Sequence, residues 1–126
     1  MIMAILVVED DPSIQEMLVE LLTDEGYVVL MAASGTAGLV LLREQAALIR
    51  LVVLDLMMPG LNGWEVSAQI QTDPVLRHIP ILIVSAITAL EARTEDLGAA
   101  RVLAKPFRVA EFLAAVDELY GASLEG

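Results

Sequence analysis

Five short apolar runs punctuate this chain: Ala4–Val8, Tyr27–Ala32, Leu51–Leu54, Ile81–Val84 and Val102–Ala104. Each is nearly continuous in apolar, largely β-branched residues, as expected of strands covered on both faces. Longer stretches with helical periodicity separate them. Ile14, Met17, Leu18, Leu21 and Leu22 form one apolar stripe. Asp11 is placed to cap that helix, Pro12 suits its first turn and Gly26 its exit. Val109, Phe112, Leu113, Val116, Leu119 and Tyr120 share a face of a last helix. Further helices are expected from about Ser34 to Ala46, from about Trp64 to Gln71, and around Leu90–Leu97, the last with little apolar face. Strands alternating one by one with helices imply right-handed parallel crossovers. The expected fold is therefore α/β, a doubly wound five-stranded parallel sheet, and such sheets bind ligands beyond the carboxyl ends of their strands.

Length and composition narrow the setting. At 126 residues the chain is expected to be a single domain over residues 1–126. A chain of that size buries roughly two-thirds of its unfolded surface, enough for a core of its own. It is 57% hydrophobic, yet no apolar run is long enough to cross a bilayer. The opening MIMAILVVEDD has no basic stretch and runs into three acids rather than a small-residue cleavage site. The absence of cysteine fits a reducing compartment. A cytoplasmic protein without membrane partners is expected. The formal charge of −11, from 18 acids and 7 bases, argues against a nucleic-acid footprint on this domain, because phosphate binding needs a basic face.

The strand ends carry the chemistry. Glu9-Asp10-Asp11 follow the first strand, Asp55 closes the third, Ser85-Ala86 follow the fourth, and Lys105-Pro106 follow the fifth. Three of these carboxylates (Glu9, Asp10 and Asp55), a hydroxyl and the only lysine of the chain are thus expected to converge at one edge of the sheet. Taken singly, Ser85 or Lys105 would be unremarkable; the information is in the constellation. Asp11, with Pro12 behind it, reads as a helix cap. Asp55 lies at the end of Leu51-Val52-Val53-Leu54, near the buried edge, where an acid is seldom kept without a partner or a metal. Clustered carboxylates suit a hard divalent cation, and Mg²⁺ typically takes one or two carboxylates plus a phosphate. A carboxylate can also attack phosphorus, with the cation and Lys105 offsetting the charge that develops. Such a set of parts makes an acyl phosphate.

The segments ILVVEDDPSIQEML, LVVLDLMMPGLNGWEV, RHIPILIVSA and GAARVLAKPF, in this order, resemble the successive signature segments of response-regulator receiver domains. The resemblance covers essentially the whole chain and includes an Asp-x-x-Met-Pro-x-x-x-Gly pattern from Asp55 to Gly63. It implies a flavodoxin-like (βα)5 sheet with strand order 2-1-3-4-5. It makes Asp55 the phosphorylated aspartate, and Glu9, Asp10, Asp55 and the Met57 backbone carbonyl the Mg²⁺ site, with Glu9 acting through water. Ser85 becomes the switch hydroxyl, Lys105 the conserved-type lysine, and Pro106 the residue after a cis bond. The implied donor is a phosphohistidine on a sensor histidine kinase or phosphotransfer protein. The implied consequence is control of an output domain or partner, with a homodimer as one possible active form.

Two features depart from the pattern. The family's aromatic residue, three positions before the lysine, is Val102 here, so coupling between the Ser85 position and an aromatic ring is not available in its usual form. The stretch from Ser85 to Lys105 is also a residue or two short. Apolar Met57 and Ile87 stand two positions after Asp55 and Ser85, where polar groups would orient an attacking water, so slow loss of the phosphoryl group is expected. His78, without a second histidine, and Trp64, opening a helix, read as structural residues. Three alternatives stay open at this point. One is a haloacid-dehalogenase-like phosphatase, which would want an aspartate where Met57 stands. Another is a flavodoxin-like cofactor carrier, poorly served by an acidic loop after the first strand. The third is a degenerate receiver that acts unphosphorylated.

Overall fold

The computed structural model describes residues 2–86 and 99–125. Its strands are β1 (Ala4–Val8), β2 (Val28–Ala32), β3 (Ile49–Leu54), β4 (Ile81–Ala86) and β5 (Arg101–Lys105). The helices are α1 (Pro12–Asp24), α2 (Gly35–Glu44), α3 (Gly63–Thr72) and α4 (Val109–Glu125). All strand pairs are parallel, in the order β2-β1-β3-β4-β5. This is the expected doubly wound sheet. The helix expected around Leu90–Leu97 lies outside the described residues, as does Ile87.

Alternation along the strands sorts the core into two layers, because successive side chains point to opposite faces. Leu6, Val8, Val52, Leu54, Ile81 and Ile83 face Leu39 and Leu42 of α2 and Val66 and Ile70 of α3. Ile5, Val7, Leu51, Val53, Leu82 and Val84 face Leu18 and Leu22 of α1 and Phe112, Val116 and Leu119 of α4. Phe112 is wholly buried, and a side chain of that size contributes about 1.5–3 kcal/mol by leaving water. No helix among the described residues is long and apolar enough to cross a membrane.

One expectation fails at the margin. β1 and β3 are covered on both faces, but β2 is an edge strand, and Val28 and Met31 are exposed. An apolar sequence alone does not say which strand lacks a neighbour.

The helix starts follow their local chemistry. The Asp11 side chain accepts from the Ser13 and Ile14 amides at 2.9 and 3.2 Å, with Pro12 at the first position. Ser34 caps α2 through Ala37. Asn62 and Glu65 form a reciprocal capping box at the start of α3. Gly26 ends the α1 exit turn at a φ of 93°, a left-handed conformation that favours glycine.

Candidate phosphoacceptor and metal site

The register of the sheet assembles the site. Val8 pairs with Leu54 across β1 and β3, and the Asp55 amide donates to the Val8 carbonyl at 3.2 Å. Glu9 and Asp55 therefore leave the sheet side by side. Ser85 pairs with Ala104, and Ala86 with Lys105. Ser85 and Lys105 were expected just beyond their strands; both lie within them, held by the ladder rather than by a loop. Pairing between β4 and β5 continues to the last residue of each, and this extends both strands past their apolar runs.

Asp55 is 6% exposed and Glu9 1%. Asp55 Oδ1 accepts from the Met57 amide at 3.1 Å and from the buried Ser85 hydroxyl at 3.3 Å. Lys105 Nζ lies 3.7 Å from Asp55 Oδ2 and 3.1 Å from Glu9 Oε1. The peptide bond from Lys105 to Pro106 is cis, as expected. The lysine thus bridges the two buried acids directly.

One ammonium against two buried carboxylates leaves a deficit. Burial pushes the Glu9 carboxyl up to about 8; the neighbouring Asp55 carboxylate adds to that rise, and Lys105 opposes it. Near neutral pH Glu9 therefore retains its proton. Glu9 Oε2 is the one buried side-chain oxygen or nitrogen among the described residues with no hydrogen-bond partner. Glu9, Asp10 and Asp55 each bring a carboxylate oxygen within 4.8 Å of the others. An orphaned buried oxygen in a trio of acids fits a cation site, because a divalent ion supplies both the missing partner and the missing charge.

Every residue expected at the site is thus brought to the same sheet edge, with Asp11 directed away as a cap. Met57 is exposed in side chain and touches Asp55 through its backbone. Trp64 is half-buried against the α2–α3 layer, in keeping with a packing role, and His78 is exposed. Val102 is half-buried in that same layer, paired with Ile83. Sequence reasoning passed over Gln15. Its side-chain amide donates to the carbonyls of Glu9 at 3.1 Å and of Ala32 at 3.2 Å. A glutamine on the polar side of an amphipathic helix gives no signal of this.

Comparison with known proteins agrees with the geometry. Residues 5–117 match the family model described as the response regulator receiver domain. The probable transcriptional regulatory protein SilR of Salmonella typhimurium is 39% identical over 119 residues, covering 93% of this chain and 50% of that protein. A receiver domain protein from Clostridium thermocellum superposes with a TM-score of 0.87 at 27% identity, covering 96% of each chain. TrrA from Thermotoga maritima, solved in complex with Mg(2+)-BeF, gives a TM-score of 0.81 at 30% identity over 94% of this chain and 99% of that one. The chain spans about half the length of the curated relatives it matches. With its 2-1-3-4-5 parallel sheet and its acids gathered at the carboxyl edge, this chain belongs to the response-regulator receiver domains, the phosphoacceptor signalling domains of two-component systems.

Proposed function

We propose that Asp55 accepts a phosphoryl group from a phosphohistidine of a sensor histidine kinase or phosphotransfer protein, in a reaction that needs Mg²⁺. The observation that carries this reading is the buried Asp55 carboxylate with Ser85 Oγ at 3.3 Å and Lys105 Nζ at 3.7 Å. An Asp55 oxygen forms the new bond to phosphorus, the P–N bond breaks, and its electron pair leaves on the imidazole. Glu9, Asp10, Asp55 and the Met57 carbonyl would hold the Mg²⁺, which supplies charge neutralisation at the transferred oxygens. Lys105 adds a positive charge from the β5 side. Ser85 turns its hydroxyl from Asp55 to a phosphoryl oxygen. With Val102 in place of a ring, that change at Ser85 has no aromatic rotor at the Val102 position of β5 to act through.

Relatives named as transcriptional regulatory proteins, of which this chain spans half, support a role in governing an output segment or partner; a cytoplasmic setting and a homodimer as one active form belong to the same proposal. The domain acts on its own phosphoryl group and on no other substrate. Incubated with Mg²⁺ and acetyl phosphate, the protein should gain the mass of one phosphoryl group, and Asp55→Asn should gain none. An equal gain by the variant, or none by either protein, would reject the assignment; the second result would favour a receiver that acts unphosphorylated. The apolar Met57 side chain beside the site supports slow release of phosphate. Ile87→Glu should raise that rate several-fold in a phosphate-release assay, and an unchanged rate would contradict it.

A further inference from the structure

We propose that Gln15 is a positioning residue: its side-chain amide clips the loop carrying Glu9 and Asp10 to the end of the sheet and so presets the cation site. This rests on the reading of Glu9 and Asp10 as metal ligands given above.

The geometry is specific. The β1–β2 ladder ends at the pair Val8–Ala32, and the last rung is the Glu9 amide donating to the Ala32 carbonyl at 3.1 Å. Beyond that rung the chain turns away into α1, and the Glu9 carbonyl has no strand partner. Gln15 Nε2 lies between the two oxygens, 3.1 Å from Glu9 and 3.2 Å from Ala32. Both partners are acceptors, so only the NH₂ end of the amide fits there, and its two hydrogens serve one carbonyl each. The other side of the loop is tied down as well. The Asp11 side chain accepts from Ser13 and Ile14, and the Asp11 carbonyl accepts the Gln15 backbone amide at 2.9 Å. Glu9, Asp10 and Asp11 are thereby fixed to α1 at both ends and to β2 at one.

That matters for binding because a loop holding a buried Glu9 carboxyl beside Asp10 would otherwise relax outward to hydrate its polar groups. Holding the backbone removes that freedom before the cation arrives, so less ordering is needed on binding. Groups that orient ligands from behind typically change metal affinity by 10–100-fold. Gln15 grips the backbone rather than a ligand oxygen, so the lower end applies.

The test is Gln15→Met, similar in length and without donors, with Gln15→Asn as a milder companion whose amide falls one methylene short. Mg²⁺ titration by calorimetry should give a dissociation constant about tenfold weaker than wild type. Hydrogen exchange at the Glu9 amide should quicken about tenfold in the metal-free protein, while exchange in the middle of β1 stays as it was. A residue that served stability alone would lower the melting temperature and leave both readouts in place. Mg²⁺ affinity within about twofold of wild type, in a folded variant, overturns the proposal. If the wild-type protein itself shows no saturable Mg²⁺ binding, the metal reading falls separately. Glu9 exchange then decides the clip, with unchanged exchange rejecting it.

Discussion

Gly63→Ala is expected to cost about 3 kcal/mol of folding stability, at the upper end for an overpacked methyl group. Gly63 opens α3, and its amide donates to the Leu56 carbonyl at 3.0 Å. A Cβ there would meet the Asp55 carbonyl oxygen at 2.5 Å and the Leu56 Cα at 2.5 Å. Both are backbone atoms, so no side chain can swing aside; either α3 lifts or the end of β3 shifts. The second response moves the acceptor itself, because the Asp55–Leu56 backbone sets the Asp55 side chain against Ser85 and Lys105. A lowered urea midpoint with an unchanged slope should accompany slower phosphorylation by acetyl phosphate. Gly60→Ala is the instructive contrast. Nothing lies within 4 Å of its added Cβ, and only the φ of 73° opposes it, so about 1 kcal/mol is expected. A loss at Gly63 no larger than that at Gly60 would show that α3 does not pin the acceptor strand.

The second large effect is electrostatic. The folded state holds the Glu9 proton up to about pH 8, well above the ordinary carboxyl value of 4.5, chiefly through burial. Between those values the native protein binds a proton that the unfolded chain has shed. Its contribution to stability is complete below the unfolded pKa and is lost as pH rises through the folded one. Metal-free protein should therefore lose stability from about pH 5 to about pH 8 and then level off. Cation binding shows the opposite dependence. The ion must displace that proton, so Mg²⁺ should bind on the order of tenfold more weakly near pH 6.5 than near pH 8.5. Calorimetry in two buffers of different ionisation enthalpy should detect close to one proton released at the lower pH. Glu9→Gln should abolish both the release and the falling limb of the stability curve. A pH-independent Mg²⁺ affinity in wild type would mean that Lys105 alone keeps Glu9 ionised.

Much of this was legible before any coordinates. The alternation of apolar runs with amphipathic stretches specified a doubly wound parallel sheet. Such sheets gather the residues just after each strand at one edge, so Glu9, Asp10, Asp55, Ser85 and Lys105 could be picked out together. Asp11-Pro12 announced a helix start through local chemistry that needs no tertiary partner. The spacing of Asp55, Met58-Pro59 and Gly63 carried the family signature, and Gly63 now has a physical reason in the approach of α3 to the Asp55–Leu56 backbone.

What the linear pattern could not carry depends on neighbours distant in sequence. Val28 and Met31 look like core residues and are exposed, because β2 acquires only one partner strand. Ser85 and Lys105 looked like loop residues and are strand residues, because pairing between β4 and β5 runs past the apolar letters. Glu9 was expected as a metal ligand beyond β1, and nothing in the linear pattern showed that it would be buried. It becomes a buried, proton-holding carboxyl that accepts a hydrogen bond from Lys105, a contact spanning most of the chain. Gln15 gave no signal at all, since its role arises only where the end of β2 and the turn after β1 present two carbonyls to one amide. Periodicity and strand-end chemistry are local and survive in the sequence alone. Edge position, charge balance and the clipping of a loop are set by which elements meet, and the folded sheet alone decides them.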